Sequence, residues 1–89
     1  MKIKEGFVMR EVAGQYVVIA IGEASKTFHG MIKLNRTGKD IWEGIQKGFD
    51  KNQIVEFFIE TYEAAREDVE KDVEEFLNQM KEVGILANE

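Results

Sequence analysis

The hydrophobic period of this chain changes once, near Asn35, and that switch restricts it to an α+β fold. Before Asn35 the apolar residues come in short β-branched or alternating runs; after it they recur at helical spacing. Phe7 to Val12 (FVMREV) alternates imperfectly, Ala13-Gly14 marks a turn, and Gln15 to Ile21 (QYVVIAI) suits a central strand. The two read as a hairpin. Gly22 to Gly30 reads as a polar loop around Phe28, which is expected to be buried. Met31 to Leu34 is a third short strand, with Ile32 and Leu34 facing one way and Met31 and Lys33 the other. A meander of this kind leaves its third strand on an edge, with unpaired backbone groups along one side.

Three helices follow. Asn35 can cap the first, its side-chain oxygen accepting backbone N–H groups near Thr37 and Gly38. Ile41, Trp42 and Ile45 form an inward face, and Gly48 sits where a terminating glycine belongs. Asp50 with Gln53 reads as a capping box opening a second helix, which carries Ile54, Val55, Phe58, Ile59 and Tyr62. Phe57 falls at the margin of that stripe. The third helix carries Val69, Val73, Phe76, Leu77, Met80 and Val83 before Gly84 closes it, and Ile85-Leu86 packs back as a tail. Three antiparallel strands followed by three helices predict a domain close to a winged helix-turn-helix. No linker or internal repeat divides residues 1–89, so one domain is expected.

Composition removes several classes of function. With 89 residues there is room for one modest core. The absence of cysteine excludes thiolate metal sites and disulfides, and a lone histidine excludes an all-imidazole site. No apolar run approaches the ~20 residues that span a bilayer, and there is no signal-peptide pattern. A soluble, cytoplasmic protein with no membrane role is expected.

The residues that could carry chemistry read more simply as structure. Thr37-Gly38-Lys39 invites comparison with a phosphate-binding loop, but Lys33 stands where the first glycine should be and Asp40 follows Lys39 instead of Ser or Thr. Gly38 more simply lets the helix pack closely on the sheet. His29, between Phe28 and Gly30, has no Ser or Cys nucleophile with an orienting acid nearby in sequence. The acidic run of the third helix (Glu67, Asp68, Glu70, Asp72, Glu74, Glu75) lacks the alternation and glycine of a calcium loop, and reads as a solvated face. No catalytic residue, metal or cofactor is expected.

Charge weighs against nucleic acid. The net charge of −5 divides into +3 over residues 1–49 and −8 over residues 50–89. A winged helix would bring its third helix to DNA, yet Arg66 to Glu82 holds three basic and seven acidic residues. Phosphate affinity needs the opposite sign. Lys26, Lys33, Arg36 and Lys39 could form a patch but not a recognition helix, so a winged-helix DNA-binding protein stands as the alternative. The other reading is the edge strand beside an amphipathic helix, which can accept an extended peptide as a fourth strand. About five net hydrogen bonds at ~1 kcal/mol and two apolar anchors at ~2 kcal/mol give roughly 9 kcal/mol gross. Ordering the peptide and losing rigid-body freedom brings affinity to about micromolar or weaker.

The stretch FHGMIKLNRTGKDIW from Phe28 to Trp42, DVEEFL from Asp72 to Leu77, the terminal GIL of Gly84 to Leu86 and the opening VMREVAGQYVV together resemble the PqqD-like family of peptide chaperones. These domains are also called recognition elements for ribosomally made, post-translationally modified peptides. The likeness runs over about residues 7 to 86. It implies a winged-helix-like domain that binds the leader segment of a precursor peptide along the third strand and against the third helix. It also implies presentation of that peptide to a modifying enzyme, often a radical S-adenosylmethionine (SAM) enzyme. By position, the strand contribution falls on Met31, Ile32, Lys33 and Leu34, and the helix contribution on Val69, Asp72, Val73 and Phe76. A monomer or weak homodimer is expected. The family usually begins the third helix with Asp or Ser. Here Ala65 cannot cap, and alanines favour helix continuation, so a different junction between the second and third helices is expected around Glu63 to Arg66.

Overall fold

The structure is a computed structural model that describes residues 1–87. Its elements are β1 (Lys2–Ile3), β2 (Phe7–Val12), β3 (Gln15–Ala20), β4 (Met31–Leu34), α1 (Arg36–Gln46), α2 (Lys51–Tyr62), α3 (Arg66–Glu82) and β5 (Leu86–Ala87). Strands β2, β3 and β4 form an antiparallel sheet in that order, in the register Met9↔Val18↔Ile32. The expected α+β arrangement of a three-stranded meander followed by three helices is what forms.

Local signals set most of the boundaries. Ala13 and Gly14 both have positive φ, 51° and 80°, as a tight hairpin turn with right-handed strand twist requires. Asn35 Oδ1 accepts the Gly38 N–H at 2.8 Å to start α1. At α2, Asp50 Oδ1 accepts the Gln53 N–H and Gln53 Oε1 accepts the Asp50 N–H, closing the expected capping box. Gly48 and Gly84, at φ 87° and 82°, end α1 and α3 in the left-handed conformation that glycine adopts without strain.

The core lies between one face of the sheet and the helices. Val18, Ile41, Trp42, Ile54, Val55, Val73 and Ile85 are completely or almost completely buried there. Each aliphatic side chain so placed contributes roughly 1.5–3 kcal/mol. Trp42 Nε1 is buried without a hydrogen-bond partner among the described residues, a cost of about 1–3 kcal/mol set against burial of the whole indole.

Three expectations need correction. Tyr62 and Val83 are not core residues: they are 47% and 46% exposed, Tyr62 as the last residue of α2, with its ring against Phe58, and Val83 as the cap that ends α3. Strand β3 stops at Ala20, since Gly22 at φ 60° starts a 3₁₀ turn over Gly22–Lys26 within the polar loop. The tail does more than pack back. Leu86–Ala87 pairs with Lys2–Ile3, and the Lys4 N–H donates to the Ile85 carbonyl at 2.8 Å, forming a second small ribbon.

Ala65 makes no side-chain cap, as its chemistry demands, but the alanines do not join the two helices. Glu63 takes a left-handed conformation (φ 53°) that breaks α2, and Ala65 is extended. Half-buried Ala64 packs against the core between them. Burial of that methyl group and packing of α3 along α2 outweigh the small helical preference of alanine.

Candidate functional site: an open strand edge and a groove between two helices

Strand β4 follows the 3₁₀ turn and its loop, where Phe28 meets Phe7 edge-to-face at 5.5 Å between ring centroids. It is paired on one side only, with β3, through Tyr16↔Leu34, Val17↔Lys33, Val18↔Ile32 and Ile19↔Met31. Ile32 and Leu34 face the core and are half-buried, whereas Met31 and Lys33 face away and are exposed. The alternation expected for this strand is therefore present, and its second edge carries no strand among the described residues.

The chain turns directly from β4 into α1, and Gly38 controls how closely α3 approaches that corner. A Cβ built on Gly38 would sit 3.0 Å from Phe76 Cε2, 3.4 Å from Asn35 Oδ1 and 3.5 Å from Leu34 Cβ. The expected close packing on the sheet is thus present at Leu34, but the tighter neighbour is Phe76 of α3. This contact joins positions too distant in sequence for periodicity to pair them.

Two adjoining cavities run between the start of α1 and α3, sharing Thr37 and Asp72. The one beside the end of β4, about 300 Å³, is mainly polar and includes Asn35, Gly38, Glu75, Phe76 and Gln79 in its lining. The other, about 220 Å³, is mainly apolar, with Phe58, Ala64, Val69 and Val73 beneath Arg36, Asp40 and Tyr62. The four helix residues singled out from sequence therefore lie together along this groove. Val69 and Val73 are buried in the apolar part, Asp72 is exposed on the shared wall, and Phe76 is half-buried in the polar part. Met31, Ile32, Lys33 and Leu34 line neither cavity; they form the adjacent strand.

The sequence did not single out Tyr62, Asp40 or Arg36 as neighbours. Tyr62 Oη donates to Asp40 Oδ2 at 2.6 Å. That hydrogen bond, helped by desolvation, raises the phenol above its usual range, while Arg36 opposes the shift. Lys39 Nζ lies 3.2 Å from Glu43 and 5.3 Å from the centre of the Tyr16 ring, and the Glu43 bond raises its pKa. Arg66, at the start of α3, is held by Glu56 of α2 and is likewise raised by that bond. Of these pairs only Tyr62–Asp40 borders the apolar cavity, whereas Arg66–Glu56 is an exposed pair of small energetic weight.

His29 is exposed in the loop before β4. Among the described residues no group of three His, Asp or Glu side chains is placed to hold a metal ion, and no helix is long and apolar enough to cross a membrane. The arrangement offers backbone hydrogen bonds along an edge and pockets beside it.

Comparison with known proteins gives a consistent picture. The family described as coenzyme PQQ synthesis protein D (PqqD) matches residues 9–86. No curated protein matches. Among solved structures, TbiB1 in complex with the TbiA(beta) leader peptide is similar at 22% identity and a TM-score of 0.82, over 100% of this chain and 98% of that one. Lasso peptide synthetase B1 complexed with the leader peptide is similar at 18% identity and a TM-score of 0.80, over 98% of this chain and 96% of that one. At these identities the likeness is one of fold.

Proposed function

The chain belongs to the PqqD family, and from that premise we propose that it is a non-catalytic peptide chaperone for the leader segment of a ribosomally made precursor. Residues 1–89 act as one leader-binding domain. The observation that carries this reading is the open edge of β4 beside the groove of α1 and α3. A leader added to that edge gains backbone hydrogen bonds from Met31, Ile32, Lys33 and Leu34. Its inward side chains fall towards Val69, Asp72, Val73 and Phe76. Both solved neighbours hold leader peptides, which supports the same ligand class here.

The chaperone presents the bound peptide to a modifying enzyme, for which a radical SAM enzyme is the family-based expectation. A carrier needs moderate affinity, because it must also release the peptide. An edge strand with a shallow groove fits that requirement better than an enclosed site would. Action in the cytoplasm, as a monomer or weak homodimer, completes the proposal.

The test is a titration of the isotopically labelled chain with a leader peptide of the native host's precursor, followed by amide chemical shifts. Shifts should concentrate on β4, the start of α1 and the groove side of α3. Shifts confined to β2, or none at saturating peptide, would refute leader binding at this site.

A further inference from the structure

The helix-free face of the β2-β3-β4 sheet has the wrong chemistry for a face that meets only water. Eight strand positions point that way: Val8, Arg10, Val12, Gln15, Val17, Ile19, Met31 and Lys33. Five are apolar and none is acidic. An antiparallel sheet with one solvated face ordinarily alternates apolar inside and polar outside. Here Val8, Ile19 and Met31 stand in one cross-strand row, and Arg10, Val17 and Lys33 in the next. None of Val8, Val17, Ile19 or Met31 belongs to the helix-side core or packs against it. Met31 is 61% and Val12 57% exposed, Val8 and Ile19 are half-buried, Val17 in the middle of the face is only 5% exposed, and Ile21 extends the apolar surface past the end of β3. An apolar row at the surface, bordered by cations unpaired among the described residues, is the composition of a contact with another macromolecule.

We propose that this face docks the enzyme that acts on the presented peptide, through an apolar patch on that enzyme bordered by carboxylates. The inference rests on the chaperone reading above. Charge selects the occupant. Neither Arg10 nor Lys33 has an ion-pair partner among the described residues, although the chain as a whole carries −5. A second copy docking face to face would set those cations against their own kind, and unlike charges across an interface are what favour a partner. A carboxylate-bordered apolar surface satisfies both the valine-isoleucine row and the two cations. The position also suits presentation. The face is the outer surface of the same β4 whose edge takes the peptide, and it leaves the groove between α1 and α3 uncovered.

A photoreactive phenylalanine analogue at Ile19, in the full chain expressed with its precursor in the native host, identifies the contact. The expected crosslink is to one peptide-modifying enzyme. That enzyme, purified, should bind the wild-type chain and lose at least about tenfold in affinity with Ile19→Asp and with Arg10→Glu. Precursor affinity of both variants should stay within about twofold of wild type, since neither residue contributes to the edge or the groove. Arg10→Glu is a surface change, which keeps the test readable if Ile19→Asp unfolds. A crosslink to a second copy of the chain, binding to phosphatidylserine–phosphatidylcholine vesicles, or enzyme affinity unchanged in Arg10→Glu would each overturn the proposal. A wild-type chain that binds the enzyme but not the precursor would overturn the leader reading and leave the docking face standing.

Discussion

Replacing Ala65 by Ser should stabilise the domain, because α3 is the one long helix that begins without a cap. Ala65 already holds the extended backbone of an N-cap residue, at φ −70° and ψ 135°, so a hydroxyl there needs no rearrangement. The Ser oxygen can accept the N–H of Glu67 or Asp68, which the alanine leaves to water. Ala65 is exposed, so no buried contact is lost. The gain is about 1 kcal/mol within a range of roughly 0.5–2. For a domain of this size that corresponds to a rise of about 4–8 °C in Tm. Ala65→Asp should gain less at low salt, because Glu63, Glu67 and Asp68 crowd the new carboxylate, and should approach the Ser variant as salt screens them. Thermal unfolding followed by circular dichroism and by the fluorescence of buried Trp42 measures both variants. A Ser variant with unchanged or lower Tm would show that the first turn of α3 is not short of an acceptor.

Other substitutions probe the turn, the groove and its rim. Ala13→Asn should raise stability by up to about 1 kcal/mol in denaturant unfolding, since Asn tolerates the left-handed conformation that Ala13 occupies at φ 51°. Phe76→Ala should weaken precursor binding at least about tenfold by calorimetry while the half-buried site costs the fold only about 1–2 kcal/mol. Retained peptide affinity in that variant would remove Phe76 from the groove's function. Tyr62→Phe should lower stability at neutral pH, and its deficit against wild type should shrink as pH becomes alkaline. The Asp40 hydrogen bond raises the Tyr62 pKa above 10.0 in the folded chain, so its contribution is complete below 10.0 and is lost as pH rises through the higher folded value. The Phe variant should lack that alkaline loss in pH-dependent unfolding, and an ultraviolet titration of wild type should show the late phenol.

The elements that were legible in the sequence are those written in local chemistry. Asn35, the Asp50–Gln53 pair and the glycines at 48 and 84 act on backbone groups within a few residues, so their patterns survive any tertiary arrangement. The β1–β5 ribbon was not legible, because two-residue strands have no period and pair only once both ends of the fold are in place. The same limit hid the contact of Gly38 with Phe76 and the Tyr62–Asp40 bond, which depend on where three helices cross. Val69, Asp72, Val73 and Phe76, assigned by position from the family resemblance, share one face of α3 and line the groove, whereas the residues of α1 and α2 that complete it were not legible. The imperfect alternation of FVMREV did hold information. It recorded a strand whose two faces are both partly apolar, which becomes intelligible once Val8 is seen beside Ile19 and Met31.

The two ends of the groove differ mechanically, and that difference bears on how a carrier can be both selective and transient. Beside β4 the walls meet at Gly38 and Phe76 with no room for a methyl group without displacement, and Asn35 ties the same corner to α1. At the far end, around the apolar cavity, the wall is the uncapped break from Glu63 to Ala65, held by the exposed Arg66–Glu56 and Tyr62–Asp40 pairs. Segments with few buried contacts and exposed polar bonds open at lower free energy than a packed corner does. On the proposed reading, a peptide strand would find its register against a fixed edge, where backbone bonds depend little on side-chain identity. Its side chains would then be selected against a wall that can adjust, and adjustment lowers the net affinity of even a well-matched anchor. Stiffening that wall with Ala65→Ser should tighten leader binding along with the fold, whereas a cap that raises Tm and leaves leader affinity unchanged would place the selective contacts on the rigid end alone.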